Sequence, residues 1–220
     1  MKAVIFDMDG VLVNTEPLHY RCWKEAFAEE GIELEYDVYK PCIGSTLGFL
    51  VDLIEKNYGI SFLKTKEMGR RMAEKKAQIV QKEGFPRLSG INEALNRLWN
   101  EGYLLAVASS AAQTQIELTL KTLGMEKYFC SITSGENVKN PKPAPDTFLE
   151  AAKKLQMKPE ECLVIEDSTN GGKAAHAAGM KCVWYHNPDS GDQNIENAVL
   201  KIEEWNAESV SSILGILSQE

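Results

Sequence analysis

From Ile91 onward the chain alternates between short apolar runs and helical patterns, and this rhythm constrains the fold more than any other feature. The apolar runs fall at Leu104–Ala108, Cys130–Thr133, Cys162–Ile165 and Lys181–Tyr185. Helical periods at Ile91–Glu101, Gln113–Leu123, Asp146–Leu155 and Gly172–Ala178 surround them, and Gly102, Gly124 and Gly179 sit where those helices should stop. Runs with so little polar alternation belong to strands covered on both faces, as in a parallel sheet with crossover helices. Ala3–Phe6 adds one more such run, and the tail, Ile195–Trp205 with Val210–Leu217, predicts a short strand and a closing helix. Between the first run and the second the pattern is helical throughout. A helix starting at Thr15 or Glu16 with Pro17 runs to Gly31, and others are expected at Leu47–Tyr58 and Lys64–Lys82. Phe85–Gly90 is turn-rich, with Ser89 as the expected N-cap of the helix from Ile91. The expectation is an α/β core built from residues 1–15 and 86–220, with an all-helical domain of residues 16–85 inserted into it.

Composition narrows the partners. A net charge of −8 gives no overall electrostatic support for binding nucleic acid or an anionic membrane surface. No apolar stretch approaches the roughly 20 residues that span a bilayer, and the only early apolar run is cut short by Asp7. The five cysteines are scattered, with no C-x-x-C spacing, and read as reduced core residues of a cytoplasmic protein.

The chemistry follows from what stands at the strand ends, since open parallel sheets bind ligands beyond the carboxyl ends of their strands. Asp7-Met8-Asp9-Gly10 follows the first run, Ser109 and Ser110 end the second, Lys142 lies in the loop after the third, and Glu166-Asp167 close the fourth. Side chains two apart on extended backbone share a side, so Asp7 and Asp9 can converge on one ligand. Together these residues form a rim of carboxylates, one cation and one or two hydroxyls. Hard oxygen donors of this kind suit Mg²⁺ and a phosphate group. Each element also has a plainer reading. Asp9-Gly10 is a strong hairpin signal between Ala3–Phe6 and Val11–Val13. Glu166-Asp167 also suits a helix N-terminus, Lys142 a solvated loop, and Ser109 or Ser110 the cap of the helix from Gln113.

The four motifs in this order resemble those of the haloacid dehalogenase superfamily of phosphotransferases. The similarity is to the branch with a helical C1 cap after the first motif, the β-phosphoglucomutase and phosphoglycolate phosphatase group. They are Asp7-x-Asp9-Gly10, Ser109, Lys142 within Asn140-Pro141-Lys142-Pro143-Ala144-Pro145-Asp146, and Glu166-Asp167-Ser168-x-x-Gly171. The resemblance covers essentially the whole chain and implies a Rossmann-like core with a cap domain, acting as a monomer on a small phosphorylated metabolite. It implies Asp7 as the nucleophile that becomes an aspartyl phosphate and Asp9 as general acid and base. Mg²⁺ would be held by Asp7, the backbone carbonyl of Asp9, Glu166 and Asp167. Thr15 and His19, at the start of the cap, match positions that contact Asp9 or the substrate side in relatives, and Ser110 is a further substrate contact. One departure bears on the reaction. Mutases of this group carry a lysine and an arginine around a cap glycine, whereas here the stretch reads Cys42-Ile43-Gly44-Ser45-Thr46-Leu47-Gly48. Ser45 and Thr46 can hydrogen-bond a substrate without fixing a dianion, and Lys40 lies three residues before the position where the lysine is expected. Phosphate-ester hydrolysis is therefore expected ahead of phosphomutase activity. A phospho-accepting receiver domain is disfavoured because its acidic pair comes first and it has no helical insert. A dehalogenase is disfavoured by the Glu166-Asp167 pair.

Overall fold

The computed structural model describes residues 1–43, 47–59 and 62–219. These form a six-stranded parallel sheet in the order β3-β2-β1-β4-β5-β6, with β1 Ala3–Phe6, β2 Leu104–Ser109, β3 Phe129–Ser134, β4 Cys162–Glu166, β5 Lys181–Tyr185 and β6 Leu200–Ile202. Helices α1 (Glu16–Ala28), α2 (Tyr36–Tyr39), α3 (Leu47–Tyr58) and α4 (Phe62–Glu83) lie between β1 and the first helix of the alternating part, α5 (Ile91–Asn100). Then follow α6 (Gln113–Leu123), α7 (Asp146–Lys154), α8 (Thr169–Ala177) and α9 (Ala207–Leu217). The architecture is the Rossmann-like α/β sheet with helices on its faces.

The two-residue period of the strands sorts their side chains onto the two faces. Val4 and Phe6 of β1, with Leu105, Val107, Leu163, Ile165 and Val183, pack on Leu95 and Leu98 of α5, Ile116 and Leu120 of α6 and Ile213 of α9. Ala3 and Ile5 face the other way, with Ala106, Ala108, Cys162 and Val164, against Phe148 and Ala151 of α7 and Ala174 and Ala175 of α8. Each fully buried Val, Leu, Ile or Phe side chain contributes about 2 kcal/mol of transfer free energy. The helices before residue 85 have a cluster of their own, in which Trp23, Phe27, Leu34, Tyr39, Ile43, Leu50 and Ile54 are buried together.

Some local readings change. The hairpin is absent: β1 pairs in parallel with β2 on one side and β4 on the other, and Gly10, at φ +81°, turns the chain so that its N–H donates to Val13 O. The N-cap of α5 is Gly90 rather than Ser89. Gly90 has φ +79°, and a Cβ there would lie 1.8 Å from Trp205 O, so the close passage of the tail decides that position. The cap of α6 is Ala112, with no side-chain bond, so neither Ser109 nor Ser110 serves as its N-cap. Helix α8 begins at Thr169, three residues before Gly172, because the Ser168 hydroxyl accepts from Gly171 N and starts the helix earlier. Among the described residues no helix is long and apolar enough to cross a membrane. All five cysteines are free, but only Cys22, Cys162 and Cys182 are core residues; Cys42 is half-buried and Cys130 is exposed.

Candidate active site

Parallel pairing in register brings the ends of β1, β2 and β4 to one edge. Ile165 O accepts from Asp7 N at 2.9 Å, which sets the first carboxylate directly beside the end of β4. Asp7, Glu166 and Asp167 are all buried, and they offer oxygens within 4.8 Å of one another. Lys142 reaches them from the loop after β3. Its ammonium donates to Asp7 Oδ1 at 2.5 Å, Glu166 Oε1 at 2.8 Å and Ala108 O at 3.0 Å. That is one acceptor for each of its three protons. The ring of Phe148 lies beneath it, with the nitrogen 4.6 Å from the ring centroid. The remaining oxygen of Glu166 accepts from Ser168 N and Oγ at 2.7 and 3.0 Å.

Two glycines make this packing possible. A Cβ on Gly10 would lie 1.9 Å from Asp167 Oδ2, and one on Gly171 would lie 1.7 Å from Glu166 Oε1. The carboxylates therefore occupy the space that side chains at those positions would fill. In front of the cluster opens a cavity of about 400 Å³, lined by Asp7, Asp9, Ser109, Ser110 and Lys142 as well as the acidic pair. Asp9 is held by Thr15, whose hydroxyl donates to Oδ1 at 2.5 Å. Ser109 is buried and accepts from Ala111 N at 3.1 Å, which leaves its proton free to donate. His19 bonds to Lys76 of α4 at 2.6 Å and lies 3.7 Å from Glu16; it is not among the cavity-lining residues. Ser45 and Thr46 lie outside the described residues.

The cavity also contains residues that the motif reading passed over. Ile43 enters from the helical part, Glu136 from the loop after β3, and Ser190 and Gln193 from the segment after β5. Ser190 donates its hydroxyl to Asp167 Oδ2. Gln193 Nε2 donates to Ile43 O at 3.2 Å, and Lys40 pairs with Asp192 at 2.8 Å, so this segment also joins the sheet to the helical part. The signal was present: these residues follow the fifth apolar run at the same edge as the other four.

Three carboxylates face one ammonium, and the imbalance appears in their affinity for protons. Burial, reinforced by the charge of Glu166 and only partly offset by Lys142, pushes Asp7 up to about 7 from an ordinary 3.8. Burial also raises Asp167 well above the ordinary range, helped by Glu166 and Asp7. Lys142 stays protonated, because the attraction of the two carboxylates overrides the burial that would lower it. A cluster of hard oxygen donors with surplus negative charge fits a small divalent cation. The pH dependence follows from the sign. An acid whose folded pKa is raised binds protons in the folded state that the unfolded chain has released, so stability falls as pH rises from about 4 through 7. A cation bound there would take the place of those protons. The rise in melting temperature caused by Mg²⁺, read by thermal-shift fluorimetry, is expected to be larger at pH 8 than at pH 5. An equal rise at both would put Mg²⁺ elsewhere.

The amino-acid sequence matches the haloacid dehalogenase-like hydrolase family over residues 4–185. It is 32% identical over 188 residues to the phosphorylated carbohydrates phosphatase of Thermotoga maritima, covering 84% of each chain. It is 31% identical over 184 residues to the fructose-1-phosphate phosphatase YqaB of Escherichia coli, covering 82% of this chain and 94% of that one. Among solved structures, β-phosphoglucomutase from Clostridium difficile matches with a TM-score of 0.77 at 25% identity, over 98% of both chains.

Proposed function

Because the chain belongs to the haloacid dehalogenase-like hydrolases, we propose that it is a Mg²⁺-dependent phosphatase that hydrolyses a sugar phosphate or similar small ester through an aspartyl phosphate on Asp7. The observation that carries the reading is the buried Asp7, Glu166, Asp167 and Lys142 cluster at the floor of the cavity. Asp7 Oδ attacks phosphorus and the ester oxygen leaves with the proton of Asp9. Asp9, held by Thr15, then takes a proton from the water that attacks the aspartyl phosphate. Cleavage of that P–O bond restores the Asp7 carboxylate and frees inorganic phosphate. Lys142 offsets charge at Asp7 throughout, and Ser109 has a proton to donate to a phosphoryl oxygen. Asp7, Glu166, Asp167 and the backbone carbonyl of Asp9 would hold Mg²⁺. When bound, it supplies countercharge to the phosphoryl oxygens. Residues 16–85 act as the cap over residues 1–15 and 86–220, with Ile43 and the segment after β5 at the seam. The relatives that are phosphatases of phosphorylated carbohydrates support this substrate class.

Phosphate release across a panel of sugar phosphates tests the reading. Turnover of at least one member is expected, lost in chelator, restored by Mg²⁺ and inhibited by Ca²⁺, which is less demanding of octahedral geometry. Full activity in chelator would overturn the metal dependence. A phosphomutase is the second reading, on the likeness to β-phosphoglucomutase. Against it, Lys40, the cation nearest the cap stretch, is paired with Asp192. With β-glucose 1-phosphate and catalytic glucose 1,6-bisphosphate, inorganic phosphate is expected to form faster than glucose 6-phosphate; the reverse order assigns the mutase.

A further inference from the structure

The loop that follows β5 carries none of the four motifs, yet two of its buried side chains are bonded to the motif loops. Asn187, 3% exposed, donates from Nδ2 to Gly10 O at 3.0 Å and to Asn14 Oδ1 at 3.1 Å. Asn14 Nδ2 in turn donates to Asp189 Oδ2 at 2.6 Å, and Asp189 N donates back to Asn187 Oδ1 at 2.9 Å. The ring of bonds closes around the segment that runs from Gly10 to Asn14, between Asp9 and Thr15. Ser190, 2% exposed, donates its hydroxyl to Asp167 Oδ2, and Ser190 N donates to Asn187 O at 3.1 Å. The two contacts therefore belong to one tight turn.

A buried amide and hydroxyl are expensive unless their bonds are made, and an apolar turn would avoid the cost. Here the bonds are spent on the two parts of the site that need fixed geometry. Carboxylate rotation is broad about its terminal torsion, and Asp167 is packed against Gly10 with no side chain between them to hold it. The Ser190 hydroxyl takes Oδ2 and leaves Oδ1. Asn187 pins the carbonyl of Gly10, the residue after Asp9.

We propose that Asn187 and Ser190 are positioning residues for the reaction, Ser190 presetting the Asp167 carboxylate for the metal ion and Asn187 setting the backbone from which Asp9 approaches. The inference rests on the reading of Asp167 as a metal ligand and Asp9 as the proton carrier. It assigns the two side chains separable effects. Ser190→Ala should weaken Mg²⁺ binding about tenfold, the usual cost of losing a partner behind a metal ligand, and raise the Mg²⁺ concentration needed for half-maximal activity by the same factor. Asn187→Ala should leave Mg²⁺ binding unchanged and lower kcat by about tenfold or more through misplacement of Asp9. The measurement is isothermal titration calorimetry of the substrate-free protein with Mg²⁺ alone, paired with kcat at saturating Mg²⁺ on the best ester of the panel. Should Asn187→Ala fail to fold, Asn14→Ala opens the same ring from its less buried end, with a smaller loss in kcat expected because the bond from Asn187 to Gly10 O remains.

A merely structural turn would lower melting temperature and move both readouts together in both variants, and that result overturns the proposal. So does unchanged Mg²⁺ binding in Ser190→Ala. Asp167→Asn separates this failure from that of the underlying reading. If Asp167→Asn loses Mg²⁺ while Ser190→Ala keeps it, only the positioning role falls. If Asp167→Asn binds Mg²⁺ as the wild type does, the metal assignment falls and the positioning role of Ser190 with it.

Discussion

Asp7→Asn is expected to lose phosphatase activity by at least about 10⁴-fold, because an amide cannot attack phosphorus. The fold should survive. An asparagine oxygen can still accept from Lys142, and a neutral group in place of one of three crowded carboxylates escapes the burial penalty and the repulsion that push Asp7 up to about 7. The metal-free variant should therefore melt at a higher temperature than the wild type at pH 8. Near pH 5, where Asp7 already carries a proton, the difference should shrink. Phosphate release and a melting curve on the same purified sample check both halves. Activity close to that of the wild type would remove Asp7 from the nucleophilic role, whereas lost activity with a lower melting temperature would mean that the cluster is held together by Asp7 rather than strained by it.

Lys142→Met is expected to be the most damaging change to activity and stability together. The ammonium is 5% exposed and gives one proton to each of three oxygens, so no shorter polar side chain and no planar guanidinium can replace it. Without it Asp7 and Glu166 face each other uncompensated, and breaking a buried ion pair from one side typically costs about 3–5 kcal/mol. The carboxylates can escape part of that cost by taking up protons. Destabilisation should therefore be smaller at pH 5 than at pH 8, the direction set by an Asp7 that binds its proton more tightly still. Turnover should fall by about 10³-fold or more, the scale of losing a principal source of transition-state countercharge. Denaturant melts at the two pH values, with phosphate release at each, measure the effect. A variant equally stable at both would show that the lysine is not what balances the cluster.

The strands and their parallel sheet could be read from the chain, though not their order, because each strand is a nearly unbroken apolar run and each crossover helix has a period of its own. Asp7, Ser109, Glu166 and Asp167 were legible for the same reason: each stands at or just past the end of such a run, and parallel pairing gathers those ends on one edge, to which Lys142 reaches from the loop after β3. Asn187 and Ser190 obey the same rule but belong to no motif, and their partners, Gly10 O and Asp167 Oδ2, lie far away in the chain. Gly90 shows the opposite failure. Local rules favour Ser89 as the cap, and only the passage of Trp205 O explains why a glycine takes its place. The contact of Thr15 with Asp9 was expected from the resemblance, whereas a closure such as Gln193 on Ile43 O depends on how the helical part is set against the sheet, which no local pattern encodes.

The place of β1 in the sheet also governs when the protein can become active during synthesis. β1 ends at Phe6, while the strands on either side of it begin at Leu104 and Cys162. As the chain leaves the ribosome, the strand that bears Asp7 is made long before either neighbour and waits with both edges unpaired while the helical segment is translated. Closing such distant contacts is entropically slow, and local units such as β4-α8-β5 can form first. Unpaired apolar edges are templates for association with other chains, so a nascent chain stalled before Cys162 should be a better client for chaperones than one stalled after it. A chain caught at that stage also lacks Glu166 and Asp167, so catalytic competence arrives only with the closing of the sheet.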